Sequence, residues 1–238
     1  PRQIIKKPPT RAFYYQPAQH HMSTVTAEEL LFVPLGGAGE IGMNLNLYGF
    51  GLPGDEDWLM IDLGVTFNDG ELPGIDVLMP NPKFIEDRKD RLLALILTHA
   101  HEDHLGAVQY LWPKLRCPIY ATPFTVSVLR RKLAETEFGS EVKINEVPLG
   151  AKFTLGPFDL EWVTMTHSIP EPNAIALRTP LGTVLHTGDW KFDPDPVVGE
   201  PADEKTLRRI GEEGALAVVC DSTNVFTPGT TGSEADIL

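Results

Sequence analysis

One stretch constrains this chain more than any other. The apolar run "LLALILT", Leu92 to Thr98, passes straight into "HAHEDH", His99 to His104. A run of that length, bounded by polar residues, reads as a buried strand. Three histidines and two acids crowded at its end are costly to bury without partners. A structural turn rarely needs them, whereas a metal site does. In open α/β sheets, ligands also gather at the carboxyl ends of strands. The chain must therefore build a sheet with a polar, titratable turn at one strand end.

The spacing specifies the chemistry. His99 and His101 are two apart, so in an extended segment they point the same way. Asp103 and His104 follow where the chain turns into a helix. Imidazole nitrogens with a carboxylate suit Zn²⁺ or Mn²⁺ rather than Cu(I). Four candidates on one tight turn are enough for two ions: His99 and His101 for one, Asp103 and His104 for the other. The helical zinc-protease pattern H-E-x-x-H fails, because His104 comes one residue too early after His101. Glu102 is therefore a solvated or supporting residue rather than a base. Two more polar groups sit where apolar strands end. "VTMTHSIP" places His167 after one strand, and "TVLHTGDWKFD" places Asp189 after another, where a carboxylate can bridge two ions.

The rest of the chain alternates in the same manner. Short strands are expected at Leu31–Leu35, Asn44–Phe50, Trp58–Asp62, Leu93–Thr98, Ile119–Ala121, Ile144–Pro148, Phe158–Met165, Ala174–Thr179, Thr183–His186 and Ala217–Asp221. Helical patterns fit His104–Leu115, Pro123–Phe138 and Asp203–Glu213, and another helix is expected to begin after Gly232. The first part is strand-rich and later strands alternate with helices. That order predicts an α/β fold of two mixed sheets with helices outside.

Composition limits the function classes. No apolar run reaches the roughly 18–20 residues of a membrane-spanning helix. The N-terminus lacks the apolar core of a secretory signal. Cys117 and Cys220 form no CxxC pair, which argues against a disulfide scaffold or a thiolate zinc site and fits a reducing, cytoplasmic setting. The formal net charge of -13 argues against nonspecific nucleic-acid binding. An acidic site whose metals invert the local field remains compatible with it.

Residues 1–21 differ in kind from the remainder of the chain: four basic residues, no acids, four prolines and no helix or strand period. They read as a disordered arm or a non-native extension, with Met22 a natural start. "GGAGEIG", Gly36 to Gly42, lacks the GK[ST] ending of a nucleotide-binding loop and opens no helix, so it reads as a tight turn near the metals, with Asn44 a supporting donor. Trp190 and Lys191, beside Asp189, are candidates for substrate contact, against a packed tryptophan and a solvated lysine. His186 reads as support for the Asp189 loop or as a packed residue.

H-x-H-x-D-H, then a lone histidine, then a lone aspartate, resembles the ligand order of the metallo-β-lactamase superfamily. "WLMIDLGV" resembles that superfamily's earlier motif and maps to Asp62, which would support the metal turn. "VPLGGAGEIGMNLNLY", "THSIPEP", "HTGDWKFDPDPV" and "DSTNVFTPGTTGSE" together resemble the ribonuclease J family of β-CASP nucleases, from about Leu31 to Glu234. The resemblance implies a metallo-β-lactamase αββα sandwich over 22–221 (its first part), with 222–238 starting the connection into a β-CASP domain. The chain would then be truncated before that domain.

It further implies two Zn²⁺ ions, with Mn²⁺ an alternative. His99, His101 and His167 would hold one ion, Asp103 and His104 the other, and Asp189 would bridge. Asp103, Asp189 and Asp221 would be catalytic, Asp221 matching the first β-CASP motif and orienting a histidine of the absent domain. The implied activity is hydrolysis of RNA, 5′-to-3′ and internal, in RNA maturation and decay, by a cytoplasmic protein that is a homo-oligomer at full length and binds no membrane. A last ligand histidine would also lie beyond Leu238, leaving this chain's site incomplete. Two rivals are a single-domain metallo-hydrolase of a small thioester or lactone, and a metal-binding assembly module without turnover. The first needs a further ligand histidine after Asp189, and the sequence has none.

Overall fold

Alternation of side chains along the strands separates three apolar layers, and these layers define the fold. The computed structural model describes residues 27–68, 70 and 72–237, so the expected arm 1–21 and Met22 lie outside the described residues. The first sheet is ordered β1 (Glu29–Gly36), β2 (Leu45–Gly51), β3 (Asp57–Ile61), β6 (Leu92–Ile96), β7 (Ile119–Ala121) and β8 (Ile144–Glu146). β4 (Thr66–Phe67) and β5 (Val77–Leu78) form a small ribbon beside it. The second sheet is ordered β13 (Ala217–Val219), β12 (Gly182–His186), β11 (Asn173–Thr179), β10 (Phe158–Thr164) and β9 (Lys152–Leu155). Both sheets are mixed: β3, β6, β7 and β8 run parallel in the first, and β12 and β13 in the second, while the other pairs are antiparallel.

On β3, Leu59 and Ile61 point one way and Trp58 and Met60 the other. The inward set meets Phe158, Leu160 and Trp162 of β10 and Ile175 and Leu177 of β11, filling the space between the sheets. The outward set packs against α2 (Glu102–Leu105), α3 (Val108–Leu115) and α4 (Pro123–Leu133). On the far side Val163, Ala174 and Ala176 take Ile210 and Leu207 of α5 (Glu204–Glu213). The order is helices, sheet, sheet, helix: an αββα sandwich. α1 (Lys83–Glu86) is a single turn under Trp58. Each fully buried Leu, Ile or Phe contributes about 1.5–3 kcal/mol by leaving water.

α5 needs more than apolar contact, because it meets a charge. Glu161 of β10 is 3% exposed and binds Lys152, Arg178 and Arg209 at 2.8, 2.8 and 2.5 Å. Burial resists its ionisation, but hydrogen bonds from the three cations win and bring its carboxyl down to about 2. Asp203 caps the helix by accepting from the Thr206 N–H at 2.9 Å.

Three expected helices differ from the structure. The pattern His104–Leu115 is cut in two, because its carbonyls and amides are taken by a neighbouring segment. Ala107 N–H donates to the Leu63 carbonyl at 3.0 Å rather than back along the helix, and the His104 carbonyl accepts from Leu63 N–H at 2.7 Å. The pattern Pro123–Phe138 stops at Leu133, whose carbonyl accepts from both Thr136 N–H and Thr136 Oγ1 and closes the last turn. After Gly232 only a 3₁₀ turn forms, Glu234–Ile237. β4, β5 and β9 were not expected; β4 and β5 have two residues each, too few for a readable period. Among the described residues no helix is long and apolar enough to cross a membrane.

Candidate metal centre

The turn after β6 is fixed from below before any ligand is considered. Asp62, at the end of β3, is fully buried and adopts a left-handed backbone, φ 64°. Such strain persists only where the surroundings hold it. Here Asp62 Oδ1 accepts from Thr98 N–H at 2.8 Å and Oδ2 from Thr98 Oγ1 at 2.9 Å. Asp62 Oδ2 also lies 2.7 Å from His104 Nδ1. Next to it, Gly64 passes so close to the turn that a Cβ there would sit 1.6 Å from the Asp103 carbonyl oxygen. Asn44 N–H donates to the same carbonyl at 3.1 Å, as does the Asn44 side-chain amide at 3.1 Å. That amide also lies 3.2 Å from His104 Nε2. The turn therefore hangs from β3 and from the loop before β2.

Above this base the expected residues converge. His99, His101, His167 and Asp189 each offer a ligand atom within 4.8 Å of the others, and Asp103, His104 and Asp189 form a second such group. His101 Nδ1 lies 3.1 Å from His99 Nε2 and 3.1 Å from His167 Nε2. One ring nitrogen carries one proton or one lone pair, so a single proton cannot satisfy both neighbours. A cation between them satisfies all three. Two nitrogens bound at 2.0–2.1 Å to a tetrahedral ion lie about 3.3 Å apart, close to this spacing. On the other side, Asp189 Oδ1 is 3.1 Å and Asp103 Oδ2 3.5 Å from His104 Nε2. Asp189 Oδ2 is 3.5 Å from His167 Nε2, so the one carboxylate spans both groups. The donor set, neutral imidazoles with carboxylates, suits a divalent cation.

The electrostatics favour ligation at three of the four histidines. Burial, then the mutual repulsion of the rings, holds His99 well below the ordinary histidine value. Burial also lowers His101 and His167. All three are thus neutral, with lone pairs free, at neutral pH. His104 differs: burial pulls it down, but Asp62 and then Asp189 outweigh that and raise it to about 10 without a metal. Its Nδ1 proton goes to Asp62, which leaves Nε2 facing Asp189. A carboxylate behind a histidine in this way fixes the tautomer and strengthens the ligand. Burial works against a charged Asp189, yet the hydrogen bond from His104 and the nearby rings hold its carboxyl below the usual range.

The second sheet's two ligands sit on separate loops, joined by a polar knot that the sequence did not announce. Thr166, beside His167, forms an isolated bridge with Lys191, and its hydroxyl donates to the Lys191 carbonyl. Lys191 Nζ lies between Asp193 at 3.1 Å and Glu234 at 2.8 Å. The side chain of Asp193 is fully buried and accepts from Ser233 Oγ at 2.8 Å and Glu234 N–H at 2.8 Å. Lys191 is thus neither a solvated lysine nor a free substrate contact. Trp190 packs near α5, its Nε1–H donating to Cys220 Sγ at 3.3 Å. His186 shares a 3.0 Å hydrogen bond with Tyr48 across the sheets. Burial lowers it to about 4 and keeps it neutral. Glu102 pairs with Lys132 on the outer side of the turn.

A cavity of about 590 Å³ opens on the Asp103–His104–Asp189 side, with the glycine loop 37–42 along one wall and Asp221 at another. Asp221 makes no hydrogen bond or ion pair with the six clustered residues, though its charge acts on His167. Its Oδ1 accepts from Thr223 N–H at 2.8 Å and Thr223 Oγ1 at 2.7 Å. A smaller cavity of about 210 Å³ lies on the His167 side.

Residues 47–220 match the family model described as the metallo-beta-lactamase superfamily. Over 220 residues the chain is 51% identical to "Ribonuclease J" of Sinorhizobium meliloti, covering 92% of this chain and 39% of that protein. It is 39% identical over 200 residues to "Ribonuclease J 1" of Streptococcus pyogenes serotype M3, covering 84% and 35%. The chain spans well under half the length of these curated relatives. Among solved structures, a protein of unknown function from Enterococcus faecalis V583 superposes with a TM-score of 0.56 at 16% identity, over 87% of this chain and 53% of that one, a likeness of fold alone. With the αββα sandwich, the ligand-bearing strand ends and the matched span in agreement, the chain belongs to the metallo-β-lactamase superfamily.

Proposed function

We propose that this chain carries the metal centre of a ribonuclease that hydrolyses RNA phosphodiester bonds with two zinc ions, Mn²⁺ being the alternative metal. The observation that carries the reading is Asp189, whose two oxygens face His104 on one side and His167 on the other. A carboxylate so placed joins two cation sites a short distance apart, the arrangement suited to in-line displacement at phosphorus. The RNA substrate is supported by similarity to proteins named ribonuclease J over nearly the whole chain.

His99, His101 and His167 would hold one ion, and Asp103 with His104 the other. Divalent ions bound there supply Lewis acidity, lowering the pKa of a water and offsetting charge on the phosphate oxygens. Asp103, partly exposed at the cavity wall, would orient the attacking water by accepting a hydrogen bond from it. Asp62 keeps His104 in the tautomer that presents Nε2. Asp221, at the cavity rim, orients the group that protonates the leaving oxygen, in this reading a histidine of a β-CASP domain following 222–238. Cytoplasmic location and homo-oligomerisation of the full-length protein belong to the same reading.

The test is cleavage of a 5′-monophosphorylated RNA by the longest natural form of the protein, with this chain beside it. Turnover that requires added metal and is lost in Asp189→Ala supports the reading. Metal-independent cleavage, or full activity of Asp189→Ala, would overturn it.

A further inference from the structure

The larger cavity poses a problem for a polyanionic substrate. Glu40, Asp103, Asp189 and Asp221 all line it, and no lysine or arginine among the described residues does. Cations held by Asp103 and Asp189 would offset two of these charges, at the bond being cut, and RNA carries a further negative phosphate on either side of it. Those neighbouring phosphates need donors, and cationic side chains do not supply them here.

The glycine loop supplies them. Its ends are pinned: Gly36 pairs with Leu45, Met43 N–H donates to the Val65 carbonyl at 3.1 Å, and Asn44 N–H to the Asp103 carbonyl at 3.1 Å. Between those anchors, the amides of Ala38, Gly39, Glu40, Ile41 and Gly42 meet no acceptor among the described residues. Five successive donors on a cavity wall, hung from the metal turn itself, are what an anion site needs. The backbone enters the left-handed region at Gly37, Gly39, Gly42 and Met43, at φ 83°, 78°, 86° and 52°, so it alternates over Gly37–Gly39. Alternation of that kind turns successive N–H groups toward one concave side. Glycine is required for this at Gly37, where a Cβ would meet Asn44 Oδ1 at 2.2 Å, whereas the space beside Gly39 is open. One acid stands against the loop: Glu40 Oε1 accepts from Gly37 N–H at 3.1 Å.

Resting on the ribonuclease reading above, we infer that the backbone amides of Ala38 to Gly42 cradle an RNA phosphate next to the one being cleaved, with Glu40 a competing anion at the cradle's mouth. This role differs from nucleotide binding by a helix-opening phosphate loop. It also accounts for how an acidic chain could hold RNA at a cavity that no lysine or arginine among the described residues lines.

The sign of the Glu40 effect makes the inference testable. The metal-loaded chain, labelled with ¹⁵N, is titrated with inorganic phosphate, then with a short RNA carrying ordinary linkages and one carrying neutral methylphosphonate linkages. The amide signals of Ala38 to Gly42 are expected to move with phosphate and with charged RNA, and to stay still with neutral RNA. Glu40→Gln is expected to bind phosphate about threefold tighter or more, since one repelling charge is removed at short range. Loop signals that stay still at saturating phosphate, or a Glu40→Gln chain that binds no tighter, would overturn the cradle. Loop signals that move with phosphate but not with charged RNA would overturn RNA as its occupant. Failure of the metal centre is read separately, from metal content.

Discussion

The two halves of the candidate metal centre are built in different ways. The first sheet contributes His99, His101, Asp103 and His104 from one turn, braced by Asp62 and Thr98 within the same sheet. The second contributes His167 and Asp189 from loops 22 residues apart, which share no turn and are joined by Thr166, Lys191, Asp193, Ser233 and Glu234. Both halves are braced by contacts distant in sequence: the first turn by Asp62 and Asn44, the second pair of loops by Lys191, Asp193 and Glu234. The difference is in the ligands, which share one turn in the first half and must be brought together from two loops in the second. A compact ligand motif thus shares one brace, whereas a dispersed one needs further residues to join its parts.

The variant with the largest expected effect removes the compact half. His99→Ala with His101→Ala should lose the ion shared with His167, measured as ions per chain after desalting, leaving at most the one beside Asp103, His104 and Asp189. Retained full metal content would break the comparison at its root.

Next comes the brace. Asp62→Ala removes one partner of a buried pair with His104, and such losses cost about 3–5 kcal/mol. Chemical denaturation should show that fall, and residual metal affinity should drop about 10–100-fold. The matching test of the dispersed half is Asp193→Asn. It should weaken the ion shared by His167 and Asp189 by on the order of tenfold in a chelator competition, with the His104 side less affected. A Tm loss with unchanged metal affinity would show the knot to be structural only.

Stability against pH separates the halves more gently. His186 beneath the Asp189 loop has its value lowered to about 4, so between the ordinary 6.5 and about 4 the unfolded chain binds a proton that the folded chain refuses. Its contribution makes the metal-free chain less stable as pH falls through that window. His104 has its value raised to about 10, so its contribution is present below 6.5 and is lost as pH rises toward 10. Thermal melts of the metal-free chain should show the acid-side loss reduced in His186→Gln and the alkaline loss reduced in Asp62→Asn. Identical pH profiles in all three chains would contradict the assignment. The smallest effect is expected at Phe226, 96% exposed, where Phe226→Ser should change stability by less than about 0.5 kcal/mol.

The same contrast explains what could be read from the sequence. The strand Leu92–Ile96 and its histidine turn were legible because period and ligand spacing lie within a dozen residues. Phe158 to Trp162 alternates apolar with polar residues, whereas Trp58 to Ile61 is apolar throughout and its two faces are told apart only by what packs on each. The two sheets and outer helices were legible from the order of strand and helix patterns. The break between α2 and α3 was not, since it depends on Leu63 competing for the helix's own hydrogen bonds. Lys191 looked solvated because its partners, Asp193 and Glu234, are an ordinary near neighbour and a residue 43 positions away. Thr98 gave no signal beyond ending a strand, although its hydroxyl ties Asp62 to the histidine turn. Tyr48 likewise read as a strand residue, and only the closure of the two sheets brings it to His186.

The most direct test is the metal content of the purified chain, by elemental mass spectrometry after desalting, with the His99→Ala, His101→Ala double variant alongside. The account predicts about two divalent ions per chain in the parent and at most one in the variant. A folded parent that holds no ion, or a double variant that holds as much as the parent, would contradict it.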